Sequence, residues 1–194
     1  MLIMSTEHND WQLFADGCMH GLRKGARPTH PVPGGWASIV RGDGAEHIQC
    51  GHEEVLTPDR MELMGVVQGL HVATLSNAQQ PIGIDVFSDS MYVLRATFAK
   101  LDEKRRKRTF DSSTIRKKHK KIDLLRNPHP GHKEDADLTQ QLGELLRHFD
   151  VRFVQVLKTS APEEHARCHA IASEMRWKLA IALGYATSRH RDPR

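Results

Sequence analysis

Three acidic residues, Asp16, Glu62 and Asp89, stand where the surrounding sequence would bring carboxylates together. Asp16 closes the mixed apolar and polar run WQLFAD and precedes Gly17; Glu62 lies within TPDRMELMGVVQGL; Asp89 follows the alternating run IGIDVFS. Each Asp alone would also suit a turn or a helix cap. All three converging would make a site, because clustered carboxylates repel one another unless a cation neutralises them. Hard divalent cations with oxygen ligands meet that need, and carboxylates holding a pair of them are a common arrangement for in-line phosphoryl transfer.

The element that must place Glu62 is a helix. Thr57 can cap it, Pro58 suits its first position, and Asp59 suits the positive end of its dipole. Glu62 then falls in about the second turn and heads a ridge continuing through Gly65, Val66, Gly69 and Ala73. Small residues along that ridge allow close backbone approach, so Glu62 is expected to be partly buried and to require a cation or a proton.

The elements that must place the two aspartates are strands. Trp11–Asp16 reads as a first strand, GGWASIVRG as a second, and AEHIQCGHEE as a third returning from an Asp43-Gly44 hairpin turn. Residues 18–33, rich in Gly, Pro, Arg and His, read as a loop. After the helix at Thr57, Ile82, Ile84 and Val86 alternate along a fourth strand. A right-handed crossover would set this strand parallel to an earlier one. Met91–Phe98 reads as a short helix, Asp135–His148 as another with Leu138, Leu142, Leu145 and Leu146 on one side, and VRFVQVL as a fifth strand. Pro162 opens a final helix reaching about Tyr185. Parallel strands bring their carboxyl ends to one rim, the usual place for a site in an open α/β sheet.

Composition bounds what such a site could serve. The 194 residues suit one domain with a substantial core, and the three cysteines, Cys18, Cys50 and Cys168, form no CxxC pair. That pattern disfavours both a disulfide framework and a zinc knuckle. The first residues, MLIMSTEHND, lack the basic-then-apolar order of a secretion signal, so a cytoplasmic protein without a membrane span is expected. The net charge of +4 hides a local concentration: residues 100–133 hold 13 Lys/Arg against 4 Asp/Glu, and the remainder 15 against 20. A basic limb on an acidic body suggests a polyanion grip beside a cation site.

With these pieces in place, the chain resembles the type 1 ribonuclease H family over about Asp10 to Trp177. The matching motifs are ADG at Ala15–Gly17, GGWA at Gly34–Ala37, DRMEL at Asp59–Leu63, SDSMYV at Ser88–Val93 and ARCHAIA at Ala166–Ala172. The resemblance implies an α/β, ribonuclease H-like fold: a five-stranded mixed sheet, three antiparallel strands then two parallel, flanked by helices. It implies a domain over residues 10–185 with short tails, 1–9 and 186–194, and a basic protrusion at 100–133. It also implies an endonuclease that cuts the RNA strand of an RNA–DNA hybrid with two Mg2+ ions; a monomer, and Mn2+ as a substitute ion, are expected alongside. Asp16, Glu62 and Asp89 fall on the family's first three catalytic, metal-binding carboxylates. His169 falls on the fourth, which makes it a fourth candidate for catalysis and metal binding. Gly17, Cys18 and Thr57, with Lys104, Arg105, Arg106, Lys117 and Lys118 of the basic segment, are the expected substrate contacts.

The departures from the family pattern are specific. A histidine replaces the fourth carboxylate, and the loop after the fifth strand reads Lys158-Thr159-Ser160-Ala161-Pro162 where many members carry a histidine. His165 is close by but belongs to the first helical turn. Pro58 and Asp59 stand where asparagines often contact substrate, and Met91 where a glutamine is usual. Two other functions share the fold: a hybrid-binding module that has lost turnover with its fourth carboxylate, and a DNA-cutting nuclease of the transposase and integrase kind.

Overall fold

The computed structural model describes residues 11–21, 28–76, 82–101, 133–157 and 161–185. Strand β1 (Trp11–Met19) is flanked on one side by β2 (Val32–Gly42) and on the other by β4 (Ile82–Ser88). Together with β3 (Ala45–Val55) and β5 (Phe149–Gln155) they form one sheet in the order β3-β2-β1-β4-β5. Strands β1, β2 and β3 are antiparallel; β4 is parallel to both β1 and β5. Four α-helices lie among the described residues: α1 (Pro58–Ser76), α2 (Met91–Lys100), α3 (Ala136–Leu145) and α4 (Glu163–Ala182). This is the expected ribonuclease H-like architecture.

The β2–β3 turn follows from its two residues. Asp43 (φ 51°) and Gly44 (φ 76°) are both left-handed, as a two-residue hairpin loop demands. Along β1, Trp11, Leu13 and Ala15 point to the face covered by α1, α2 and α3, where they join Leu63, Val66, Leu70, Ile84, Val86, Leu142 and Phe149 in the main core. Each large side chain fully buried there contributes about 1.5–3 kcal/mol relative to exposure. On the opposite face Phe14, Ala37 and Ile39 pack against Cys168 and Ala172 of α4. Asp16 has the parity of Phe14, so the strand's alternation aims it at α4 rather than α1.

Close backbone approach sets α1 against the sheet. A Cβ at Gly17 would overlap the backbone of Met61 and Glu62, and one at Gly65 would lie 2.9 Å from the Ala37 carbonyl oxygen. The small-residue ridge therefore presses onto β1 and β2 as the sequence suggests. Arg60 fastens the same helix to α3, donating to both carboxylate oxygens of Asp137 at 2.9 and 3.0 Å.

Several boundaries differ from expectation. Strand β1 continues three residues past Asp16, because Cys18 and Met19 still pair with Gly35 and Gly34 of β2. Asp16 is thus inside a strand, and the expected loop at 18–33 begins and ends as sheet. Helix α3 starts only at Ala136, after a 3-10 turn at Lys133–Asp135, and β5 starts two residues early at Phe149. Helix α4 stops at Ala182, where Gly184 adopts φ 77°. Thr57 precedes α1, but its buried Oγ1 has no hydrogen-bond partner, so the expected side-chain cap is not made. Both expected tails and nearly all of the basic protrusion lie outside the described residues. No described helix is long and apolar enough to cross a membrane.

Candidate active site

The parallel register of β1 and β4 positions two of the three carboxylates. Phe14 pairs with Phe87, and Asp16 and Asp89 each stand two residues further along. Asp16 is buried, and Asp89, just past the end of β4, is half-buried. Ser90 then caps α2, its Oγ accepting a hydrogen bond from the Val93 N–H at 3.3 Å. That cap turns the chain sharply after β4 and holds Asp89 at the sheet rim. Glu62 reaches the same rim from α1 through the contact permitted by Gly17.

The three carboxylates share a cleft of about 470 Å³ lined by Asp16, Gly17, Glu62, Asp89, His165 and His169, with Val156, Ala161 and Ala166 as apolar walls. Burial, and then the negative charges of Asp16, Asp89 and Asp59, push the Glu62 carboxyl well above its ordinary range; the Gly17 N–H acts in the opposite direction. Glu62 Oε2 is buried without a hydrogen-bond partner. An orphaned carboxylate oxygen among like charges suits a cation. Asp16, Asp89 and His165 each offer a ligand atom within 4.8 Å of the others.

His169 enters from the second turn of α4. Its Nδ1 lies 2.7 Å from Asp16 Oδ2, and this hydrogen bond, opposed by partial desolvation, raises the titration of the imidazole. His169 thus stands at the cleft against Asp16. His165, one turn earlier on the same helix, is buried. Sequence reasoning left it outside the candidate site; the signal was its i, i+4 spacing from His169, which places both on one helical face.

The remaining candidates separate. Gly17 forms part of the cleft wall. Cys18 does not; it is half-buried against the α4-side cluster, with its Sγ 4.0 Å from Ser173 Oγ. Thr57 is likewise absent from the cleft lining. Lys104, Arg105, Arg106, Lys117 and Lys118 lie outside the described residues.

Comparison with known proteins places this geometry in context. A ribonuclease H of Nitratidesulfovibrio vulgaris is 30% identical over 164 residues, covering 83% of this chain and 85% of its own. A ribonuclease H of a Thermoanaerobacter species is 27% identical over 171 residues, covering 88% and 92%. Among solved structures, LC11 ribonuclease H1 in complex with an RNA/DNA hybrid superposes with a TM-score of 0.56 at 13% identity, over 87% of this chain and 98% of that one. The resemblance at that identity is one of fold. The RNase H family model matches residues 8–156, which carry all five strands and Asp16, Glu62 and Asp89 but stop short of α4 and both of its cleft histidines. The chain belongs to the RNase H family.

Proposed function

We propose that this protein is a metal-dependent endonuclease that hydrolyses the RNA strand of RNA–DNA hybrids. The observation that carries the reading is the meeting of Asp16, Glu62 and Asp89 in one open cleft of an RNase H fold. Those carboxylates would hold divalent ions, Mg2+ or Mn2+. When bound, such ions supply an activated water and neutralise charge on the attacked phosphate and the leaving oxygen. The chain's own contribution is positioning. The packing of α1 on Gly17 fixes Glu62, the β1–β4 register aligns Asp16 with Asp89, and Val156 and Ala161 narrow the cleft with apolar surface. The neighbouring LC11 enzyme carries a hybrid, which supports the same ligand class here. Selectivity would come from 2′-hydroxyl contacts on one strand and phosphate contacts on the other. Backbone at Gly17, in the cleft wall, is proposed to face the substrate, and the basic segment around Lys104–Arg106 and Lys117–Lys118 to grip phosphates.

The test is incubation with end-labelled RNA–DNA hybrid, duplex RNA and duplex DNA, in Mg2+ and then in Mn2+. Selective cutting of the RNA strand of the hybrid is expected. Cutting of duplex DNA alone would instead make it a DNA nuclease. A second reading, a hybrid-binding module without turnover, is favoured by the His169 contact, which puts a basic group against Asp16 where the family pattern has an acid. It predicts salt-sensitive hybrid binding with no cleavage in either metal.

A further inference from the structure

The buried group at the cleft for which the family pattern assigns no role is His165. It stands in the first turn of α4, where its backbone N–H donates to the Pro162 carbonyl at 3.1 Å. The residue is 7% exposed, yet Nε2 has no hydrogen-bond partner. Asp89 Oδ1 lies 4.0 Å from Nε2, too far for a hydrogen bond but a suitable separation for two atoms sharing one ion. Leaving a buried imidazole nitrogen unmatched costs free energy, and the cleft on which it opens contains two carboxylates within ligand-sharing distance. His169 differs on both counts: its side chain is 63% exposed and its Nδ1 is already engaged by Asp16.

We propose that His165 Nε2 is a metal ligand, completing with Asp16 and Asp89 a mixed nitrogen and oxygen site that favours a first-row transition-metal cation over Mg2+. This rests on the metal-dependent reading above and goes beyond it by assigning the nitrogen donor to His165 rather than to His169. Imidazole is a softer donor than carboxylate and adds affinity for transition metals that it does not add for Mg2+. Histidine also binds metal as the neutral ring, so the ligand adds no charge to an already acidic cleft.

The experiment uses the full chain, labelled with 15N-histidine and loaded with Mn2+ in the absence of nucleic acid. Pulsed electron paramagnetic resonance should show one histidine nitrogen coupled to the metal in the wild type and in His169→Ala, and none in His165→Leu. Direct titration should show Mn2+ binding weakened by roughly tenfold or more in His165→Leu, with a smaller change for Mg2+. Because absence of coupling in the wild type or its loss in His169→Ala would each overturn the assignment, a His165→Leu variant that fails to fold does not shield the proposal. Absence of histidine coupling in the wild type overturns it, as does a signal lost in folded His169→Ala or one surviving in folded His165→Leu. Hybrid cleavage is scored separately. A wild type with coupled Mn2+ but no cleavage would overturn the functional reading and leave the ligand in place.

Discussion

Asp16 and Asp89 are in line across two parallel strands, each two residues beyond the Phe14–Phe87 pair, whose rings stack with centroids 4.5 Å apart. The stacked pair is a rigid base for the two acids. Asp89→Asn should therefore leave the fold intact while removing one negative ligand oxygen. Hybrid cleavage is expected to fall by roughly a hundredfold or more, since a bound ion supplies several kcal/mol of charge stabilisation. Circular dichroism melting should remain near that of the wild type. Undiminished cleavage by a folded Asp89→Asn protein would remove this residue from the mechanism.

Glu62 provides a pH signature that needs no substrate. Its folded-state titration is raised above the ordinary value of 4.5, so between those two values the folded protein keeps a proton that the unfolded chain has released. Stability in chelator should consequently fall as pH rises through that window. Glu62→Gln should flatten that slope in denaturant titrations, and a divalent ion at neutral pH should raise the stability of the wild type more than that of the variant. Equal slopes for the two proteins in chelator would show that Glu62 is not held among like charges.

Much of this site was legible in the sequence because strand ends and helix starts carry local signals. Asp16, Glu62 and Asp89 could be placed from Asp-Gly, from Pro58 and from alternation. What could not be read was tertiary. Asp85 occupies a strand position that alternation assigns to solvent, yet it is fully buried and held by Arg152 of β5, whose Nε donates to Oδ1 at 2.8 Å. No local pattern announces a partner 67 residues away. His165 was legible in the first helical turn but not as part of the candidate site, for a related reason: its burial comes from the sheet face on which α4 lands, not from its neighbours in the chain.

That cross-strand pair is itself a prediction. Arg152→Met removes the cation and leaves the Asp85 carboxylate buried between β4 and β5. Breaking a buried pair from one side costs about 3–5 kcal/mol, and the partial exposure of Arg152 puts the expectation at the lower end, ~3 kcal/mol, in urea unfolding. The double change Asp85→Leu with Arg152→Met should recover much of that loss. A single variant as stable as the wild type would mean that water, not Arg152, satisfies Asp85.

The three thiols should separate by reactivity. Burial pushes Cys168 up to about 12, and its Sγ lies 3.3 Å from the Phe14 carbonyl oxygen in the α4-side core. Cys50 is exposed on β3 and Cys18 is half-buried. A disulfide reagent at pH 8 should label Cys50 first and Cys18 slowly, with Cys168 labelled only on unfolding. Rapid labelling of Cys168 in native protein, located by mass spectrometry, would show that α4 lifts from the sheet under native conditions.

His169 is expected to act against metal binding when protonated. Its hydrogen bond to Asp16 raises its titration above the ordinary 6.5, so at mildly acidic pH the folded protein carries an imidazolium on an oxygen that a metal would use. As pH falls through that raised value the cation becomes fully populated, and a divalent ion must displace it as well as its own hydration. Mg2+ binding should therefore weaken toward acid more steeply than the carboxylates alone would cause. His169→Asp replaces the competitor with a hard oxygen donor, so it should tighten Mg2+ binding, more at pH 6 than at pH 8, and remove the acidic limb of Mg2+-supported hybrid cleavage. Isothermal titration at both pH values provides the comparison. Parallel pH profiles for wild type and His169→Asp would show that the histidine does not compete with the ion.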